Sequence, residues 1–306
     1  MVSNFLFHRV SPVRDPLWDP MDVSRFEKAI QYISKNYEVR RLEDLIQSDE
    51  IHSKRRFATI VFDDGYKDNI EYGAEILSKY NCKASFYVVT DCIDKNIPTW
   101  TFMLDYAFGH TRISKIHLGF NFLPQELRVE DLFSADDRIN YVKKFKGVIK
   151  KLSHVQRNQL LEVVFQTYND VEFPKNMMSW NDLKQLSQAG HYIGSHTAAH
   201  GMLGTMDHVN EIRSELLTSA EAIEKNLGYF PTTISYPVGS YNQKVIDISK
   251  EVGYKTGLAV KQTIFNPEKD SQFEIPRIEL YNEPWWKMKL RITNLLGNIK
   301  TVTGYK

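Results

Sequence analysis

A continuous apolar run that ends in two adjacent carboxylates constrains the fold more than any other part of the sequence. Phe57–Phe62 reads Phe-Ala-Thr-Ile-Val-Phe and is followed directly by Asp63, Asp64 and Gly65. Such a run, rich in β-branched and aromatic residues, is typical of a strand buried on both faces of a parallel sheet. Parallel sheets hold their ligand sites at the carboxyl ends of the strands. The run therefore predicts an α/β fold with a functional site beside Asp63 and Asp64.

The same alternation of strand and helix recurs on both sides of a long interruption. Further strands are predicted near residues 5–10, 84–89, 191–194, 232–236 and 255–259, and helices near 69–80, 180–189, 209–227 and 243–252. Residues 95–176 are mostly helix-like instead. We therefore expect a parallel sheet or barrel formed by residues 1–94 and 177–283, with a helical insertion at 95–176. The insertion would be structural support, a lid or a dimer surface.

Composition excludes several classes of protein. The 306 residues carry 39 Lys and Arg against 38 Asp and Glu, a net charge of +1, which argues against a nucleic-acid partner. Hydrophobic residues make up 42% and charged residues 25%, as in ordinary globular domains. The two cysteines, Cys82 and Cys92, form no disulfide framework and favour a reducing compartment. With no signal peptide or long apolar segment, the sequence predicts a cytoplasmic protein.

Two histidines follow another predicted strand. His196 and His200 lie four residues apart in Ser-His-Thr-Ala-Ala-His. On a helix, this spacing would bring both imidazoles to one side, where they could hold a transition metal. One of the carboxylates of Asp63 and Asp64 would complete a three-ligand catalytic site, and the other would stay free as a base. The alternatives are a solvated histidine pair and an ordinary Asp-Asp-Gly turn.

A third polar segment, residues 235–241, follows a further predicted strand. Pro237 and Gly239 can form a tight turn that exposes backbone amides, which would suit a developing oxyanion. The alternative is an ordinary Pro-Gly turn. The candidate substrate-binding or oxyanion residues of this segment are Tyr236, Val238 and Tyr241.

An arginine near the end of the sheet region is the last candidate. Arg277 stands in Ile-Pro-Arg-Ile. It is either a surface charge or an inward-facing cation that pairs with Asp63 and keeps this carboxylate ionised.

In their order along the chain, these motifs resemble those of the polysaccharide deacetylases of carbohydrate esterase family 4. The resemblance rests on Val61–Tyr66, Ser195–His200 and Ser235–Gly239, with lesser support from Phe7–Val10 and from residues 178–196. It covers residues 5–92 and 177–280. It implies a distorted (β/α) barrel with fewer strands than usual, and metal-dependent removal of an N-acetyl group from an amino sugar.

The resemblance also implies a role for each matching position. Asp64, His196 and His200 would hold one divalent metal ion, with zinc the favoured ion, and Asp63 would be the catalytic base. The backbone near Val238 would stabilise the oxyanion together with the metal.

Two positions depart from the family pattern. Many members have an arginine two residues before the proline of the third motif, where this chain has Ser235, and we expect Arg277 to supply that charge. The family's late motif ends in a histidine that acts as general acid, but Asn282 stands there, and an amide is no acid at neutral pH. We expect His8 to take this role; the alternative is a buried structural histidine.

Residues 284–306 form a separate signal. They contain no acid, and their bases are interleaved with Trp285, Trp286 and aliphatic residues; the bases are Lys287, Lys289, Arg291, Lys300 and Lys306. This pattern predicts an amphipathic helix. Packing of its apolar face on the barrel is favoured, and the alternative is contact with an anionic membrane surface.

We therefore expect an N-deacetylase that acts on an N-acetylated sugar or glycan in a surface-glycan pathway. We expect it to be cytoplasmic, and to be peripheral at the inner membrane face if the tail binds lipid. One alternative is a hydrolase of a non-sugar amide or cyclic imide on the same barrel. Another is a metal-containing glycan-binding protein without turnover. The sugar, its carrier and the oligomeric state are left open.

Overall fold

A computed structural model describes residues 1–295, which contain ten strands and eleven α-helices. The strands are β1 (Val2–Phe7), β2 (Glu38–Val39), β3 (Phe57–Phe62), β4 (Ser85–Val88), β5 (Lys115–His117), β6 (Val129–Asp131), β7 (Tyr192–Ser195), β8 (Thr233–Ser235), β9 (Thr256–Leu258) and β10 (Ile278–Glu279). The helices are α1 (Val23–Asn36), α2 (Leu42–Ile46), α3 (Ala74–Lys79), α4 (Thr90–Lys95), α5 (Trp100–His110), α6 (Ala135–Ile149), α7 (His154–Thr167), α8 (Trp180–Gln188), α9 (Val209–Leu227), α10 (Gln243–Val252) and α11 (Trp285–Ile292).

Eight strands form one curled parallel sheet. Its order is β10-β1-β3-β4-β7-β8-β9, and β2 pairs with the start of β3. β1 and β3 run side by side, with Val2 opposite Phe57 and Phe7 opposite Phe62. Because all the pairings are parallel, the carboxyl ends of β1, β3, β7 and β8 meet at one edge. The distorted (β/α) barrel expected from the resemblance is confirmed.

Aromatic packing explains why β3 is apolar on both faces. All six of its residues are buried. The ring of Phe62 stacks on Phe86 of β4 at 4.8 Å between centroids and on Phe7 of β1 at 5.5 Å, and Phe26 of α1 packs edge-on against it at 5.7 Å. Burial of several such rings supplies much of the apolar driving force for closing α1 over the sheet.

The first strand is shifted relative to its predicted bounds. β1 begins at Val2 and ends at Phe7, so His8 lies just beyond the strand. The side-chain amide of Asn69 donates to the backbone oxygen of His8 at 2.8 Å. His8 is thereby held at the edge of the sheet where the strands end.

The segment between α4 and α8 has its own core. It contains three helices, α5 to α7, and an antiparallel pair, β5–β6, that the sequence pattern did not predict. Phe108, Phe145 and Leu160 lie at the centre of its apolar cluster. The two ends of the segment meet, because the side-chain oxygen of Asn96 accepts a hydrogen bond from the backbone N–H of Met177 at 3.1 Å.

The described part of the tail packs on the barrel. Met288 and Ile292 of α11 are buried, and the Tyr37 hydroxyl donates to the backbone oxygen of Ile292 at 3.0 Å. Trp286, on another side of α11, is 65% exposed. The rest of the predicted amphipathic tail, residues 296–306 with Lys300 and Lys306, lies outside the described residues. No helix within 1–295 has the length and apolar character needed to cross a membrane.

Candidate functional site

Asp63 and Asp64 lie at the end of β3, where the chain turns sharply. Their side chains are almost completely buried, and Asp64 has a left-handed backbone with φ of 75°. Gly65 follows with φ of 92°, and a Cβ there would lie 3.1 Å from a methyl group of Val88. The chain thus turns through two left-handed residues, and the second is a glycine because a Cβ at that φ would crowd its neighbours.

The second carboxylate meets both predicted histidines. The Asp64 Oδ1 atom lies 3.4 Å from Nε2 of His196 and 3.3 Å from Nε2 of His200. The histidines converge without a helix, because they lie on a loop after β7 in which Thr197 and His200 have φ of 68° and 59°. The left-handed backbone at these two residues turns the second imidazole back toward the first.

These three side chains fit a divalent metal ion. Their ligand atoms all lie within 4.8 Å of one another, and all three residues are buried. Asp64 Oδ1 and His200 Nδ1 have no hydrogen-bond partner among the described residues. The Nδ1 atom of His196 lies 2.7 Å from the backbone oxygen of Ser235, which can only accept, so the lone pair of this imidazole is on Nε2 and faces Asp64. Imidazole and carboxylate ligands are the types that zinc binds.

The first carboxylate is held by an arginine. The Nη1 atom of Arg277 lies 2.8 Å from both oxygens of Asp63, and the Ser235 hydroxyl donates to Oδ2 at 3.0 Å. Burial alone would raise the pKa of Asp63, but the charge of Arg277, together with the smaller effects of His196 and His8, holds the pKa below its usual value. Asp63 is therefore an ionised acceptor beside the three candidate ligands, with His196 Nε2 at 3.9 Å.

His8 faces the same cavity. This pocket has a volume of about 240 Å³ and is lined by His8, Asp63, Asp64, His196 and His200, among others. The Nδ1 atom of His8 lies 3.5 Å from a carboxylate oxygen of Glu279, and Trp18 packs edge-on against its ring.

Asn282 has structural partners instead. Its amide donates to the Asp19 carboxylate at 2.6 Å, and its oxygen accepts from the backbone N–H of Asp22 at 3.3 Å. The asparagine therefore secures the start of α1 and does not line the cavity that contains Asp63.

The third motif reaches the site mainly through its backbone. Val238 lines the pocket and has a left-handed backbone with φ of 56°. Tyr236 also lines it, but its hydroxyl lies against Gly257, where a Cβ would be 2.3 Å away. Tyr241 stacks on Tyr236 and donates to Glu274 at 2.8 Å, outside the pocket lining. The Tyr236 hydroxyl is therefore packed against β9, and the Tyr241 hydroxyl is bound to Glu274.

The sequence reasoning missed several pocket residues. They are Trp18, Glu279, Thr101, Asp105, Lys146 and Lys150. The last four belong to the insertion. The only sequence signal for Lys146 and Lys150 is their spacing of four residues on one side of a helix, which is equally typical of a solvated surface.

Comparison with known proteins finds similarity to proteins named as deacetylases. A stretch of 71 residues is 34% identical to the peptidoglycan-N-acetylglucosamine deacetylase PgdA of Listeria monocytogenes, covering 23% of this chain and 14% of that protein. The chain therefore spans about one-seventh of that relative's length.

Solved structures share the fold over nearly the whole chain. The Streptococcus pyogenes deacetylase PplD, solved in complex with acetate, is similar with a TM-score of 0.62 at 17% identity, covering 97% of this chain and 96% of that one. IcaB from Ammonifex degensii is similar with a TM-score of 0.63 at 12% identity, covering 95% and 96%. The sequence profile of the polysaccharide deacetylase family matches residues 51–257, which include Asp63, Asp64 and both histidines. The chain thus belongs to the polysaccharide deacetylase family.

Proposed function

We propose that this protein is a metal-dependent N-deacetylase that removes the acetyl group from an acetamido sugar. The observation that carries the proposal is the convergence of Asp64, His196 and His200 beside an ionised Asp63 in one cavity. The family and the name of the Listeria relative favour a sugar amide over other amides.

The metal would be held by Asp64, His196 and His200, with zinc the favoured ion. When bound, it supplies the Lewis acidity that amide hydrolysis needs. Ser235 fixes the tautomer of His196 through its backbone oxygen, and the Nε2 atoms of both imidazoles lie within 3.4 Å of Asp64 Oδ1. The protein's own contribution is to keep this point buried and its lone pairs aligned.

Asp63 acts as the general base in this scheme. Arg277 keeps its carboxylate ionised, so it can accept a proton from the attacking water at neutral pH. The Arg277 side chain is fully buried and donates through Nε to the backbone oxygen of Ala259 at 3.2 Å, so the guanidinium is fixed beside Asp63. Arg277 is a positioning residue, because it acts on the reaction through Asp63.

His8 is the proposed general acid. Its imidazole lies in the same cavity, with Nδ1 at 3.5 Å from a carboxylate oxygen of Glu279. A protonated imidazole can give a proton to the leaving amine, a step that general acids accelerate by about 100-fold or more. The backbone around Val238 completes the site as the proposed oxyanion support.

A surface glycan or its precursor is the proposed substrate, and this proposal also draws on the name of the Listeria relative. The cytoplasmic location stays a prediction, as does membrane contact through 284–306. For the latter, Trp286 and Lys289 are the exposed residues of α11. Reduced liposome co-sedimentation of Trp286→Ser would support membrane contact.

Acetate release tests the proposal directly. Purified protein would be stripped with a chelator, reloaded with zinc, and assayed on N-acetylglucosamine oligomers, an N-acetylated amino acid amide and a cyclic imide. We expect release from the sugars only after metal addition, and none from Asp63→Asn. Turnover of the imide alone would favour the hydrolase alternative, and tight sugar binding without any turnover would favour a binding protein.

A further inference from the structure

The insertion forms one wall of the catalytic cavity. Thr101 and Asp105 of α5, Lys146 of α6 and Lys150 just after α6 line the same 240 Å³ pocket as Asp63. A substrate whose acetamide group reaches Asp63 would lie beside this wall, so a group it carries can meet these side chains. The insertion therefore contributes to substrate choice as well as to structure.

This wall is fastened to the loop that bears the histidines. The Trp100 indole donates to the backbone oxygen of His200 at 3.1 Å. The buried guanidinium of Arg157 donates to the Thr205 hydroxyl at 2.8 Å and to the backbone oxygen of Leu152 at 3.2 Å. Because α5 and α7 are both joined to this part of the barrel, the cationic side chains of α6 keep a defined position over the cavity.

Most charges in the cavity are paired within the protein. The Nζ atom of Lys146 lies 2.9 and 2.6 Å from the two oxygens of Asp105, whose side chain is only 3% exposed. Asp63 is paired with Arg277, and Glu279 accepts from the Tyr281 hydroxyl at 2.6 Å in addition to its contact with His8. Asp105, Asp63 and Glu279 therefore each have a partner other than Lys150.

Lys150 is different. It follows Lys146 by one helical turn and lines the cavity, but within residues 1–295 it makes no ion pair. The surrounding protein, together with the ammonium group of Lys146, lowers the pKa of Lys150. Asp105 and Glu279 oppose this shift only in part, and the exposed Lys150 side chain is open to a ligand. A negative charge placed beside it in the cavity would supply a direct ion-pair partner.

We propose that Lys150 binds a negatively charged substituent, a phosphate or a carboxylate, carried by the acetamido sugar, so that the insertion selects anionic substrates over neutral ones. The proposal rests on the proposed deacetylase function, which supplies the sugar. An ammonium group suits this role because it offers three donors on a flexible stem that can follow either anion.

Steady-state kinetics test the proposal. Acetate release would be measured for N-acetylglucosamine 1-phosphate, a disaccharide of N-acetylglucosamine and a uronic acid, and neutral N-acetylglucosamine disaccharide. We expect Lys150→Ala to raise KM about tenfold for the anionic substrates, the effect of one lost charge-assisted contact. Its kcat, and its KM for the neutral sugar, should stay near wild type. The two anionic substrates show whether phosphate or carboxylate is preferred.

Matched controls separate this effect from damage to the fold. Lys151→Ala changes the adjacent lysine, which is exposed like Lys150 but does not line the cavity, and should leave every KM unchanged. Lys150→Arg should retain the preference for anions. Equal KM changes for neutral and anionic sugars in Lys150→Ala, or none, would overturn the proposal while leaving the deacetylase function intact.

A binding measurement keeps the two proposals distinct. Calorimetric titration with glucosamine 6-phosphate and with neutral glucosamine needs no turnover. Tighter binding of the phosphate that is lost in Lys150→Ala would support the anion site even if no acetate were released from any sugar. Equal affinity of both compounds for the wild-type protein would overturn it.

Discussion

The Nη1 atom of Arg277 lies 2.8 Å from both carboxylate oxygens of Asp63, although the two residues are 214 positions apart in the sequence. Both side chains are buried, so neither charge can be solvated if the other is removed. The ion pair therefore joins the end of β3 to the approach to β10 and sets the charge state of the proposed base. Its loss should affect both folding and catalysis.

Replacing Arg277 tests this double role. Arg277→Ala should lower the free energy of unfolding by about 3–5 kcal/mol, because a buried carboxylate is left without its partner. The pKa of Asp63 should rise, which would move the acidic limb of the kcat/KM profile to higher pH. Arg277→Lys should shift this limb less, and Ser235→Ala, which removes one hydrogen bond, should shift it least. An unshifted limb in a folded Arg277→Ala protein would contradict the assignment.

Metal binding should stabilise the fold through the three candidate ligands. Zinc at 100-fold excess over its Kd should raise the free energy of unfolding of the wild-type protein by about 2.7 kcal/mol, since only the folded state has the site. His200→Ala should lose most of this increase. His208→Ala, an exposed histidine that is not near the site, is the matched control. Equal zinc stabilisation of the two variants in thermal unfolding would argue against the site.

The proposed general acid predicts a dependence on the leaving group. His8→Ala should lower kcat for sugar amides by about 100-fold or more, the usual contribution of a general acid. An acetanilide should be affected much less, because its amine needs less protonation to leave. Zinc content should not change. Asn282→Ala should leave kcat unaltered, since Asn282 contacts Asp19 and the start of α1 instead of the cavity.

A buried acid under the sheet predicts how stability changes with pH. The Glu43 carboxylate accepts from the hydroxyls of Ser85 at 2.7 Å and Tyr87 at 2.6 Å, and burial raises its pKa above the usual value. Because the folded-state pKa is the higher one, this group favours the folded state most below the unfolded pKa, and the benefit is lost as the pH rises through the folded value.

Glu43→Gln should therefore reduce the change of the free energy of unfolding with pH. Relative to wild type, the variant should be more stable in urea unfolding at pH 8 than at pH 5. Glu126→Gln, an exposed glutamate of the insertion, should change neither measurement. A larger relative stabilisation at pH 5 would show that the Glu43 carboxylate is ionised in the folded protein.

The convergence of Asp64 with His196 and His200 could be predicted because it depends on topology. Each motif directly follows a strand, and in a parallel sheet these ends meet at one edge whatever the intervening chain does. The backbone that completes the convergence could not be predicted. Thr197 and His200 adopt left-handed conformations, and neither residue type signals this as a glycine would.

The contribution of the insertion depends on packing between distant segments. Lys146 and Lys150 reach the cavity only because α5 and α7 hold α6 against the barrel, and their sequence pattern is that of an ordinary helix surface. The Tyr236 hydroxyl illustrates the converse. Tyr236 directly follows β8, as a site residue would, but its hydroxyl occupies the space that a side chain at position 257 would fill.

The contact between Asn96 and Met177 has a consequence for the history of such a chain. Since the insertion leaves and rejoins the barrel at neighbouring points, 3.1 Å apart at that hydrogen bond, the path of the barrel is complete without it. A single genetic deletion, closed by a short turn, would remove the whole segment with little loop-closure cost. Such a change would leave Asp63 and Asp64 at the end of β3 but remove both the wall that faces them and the Trp100 contact to His200, so substrate preference and the support of the histidine loop would change together.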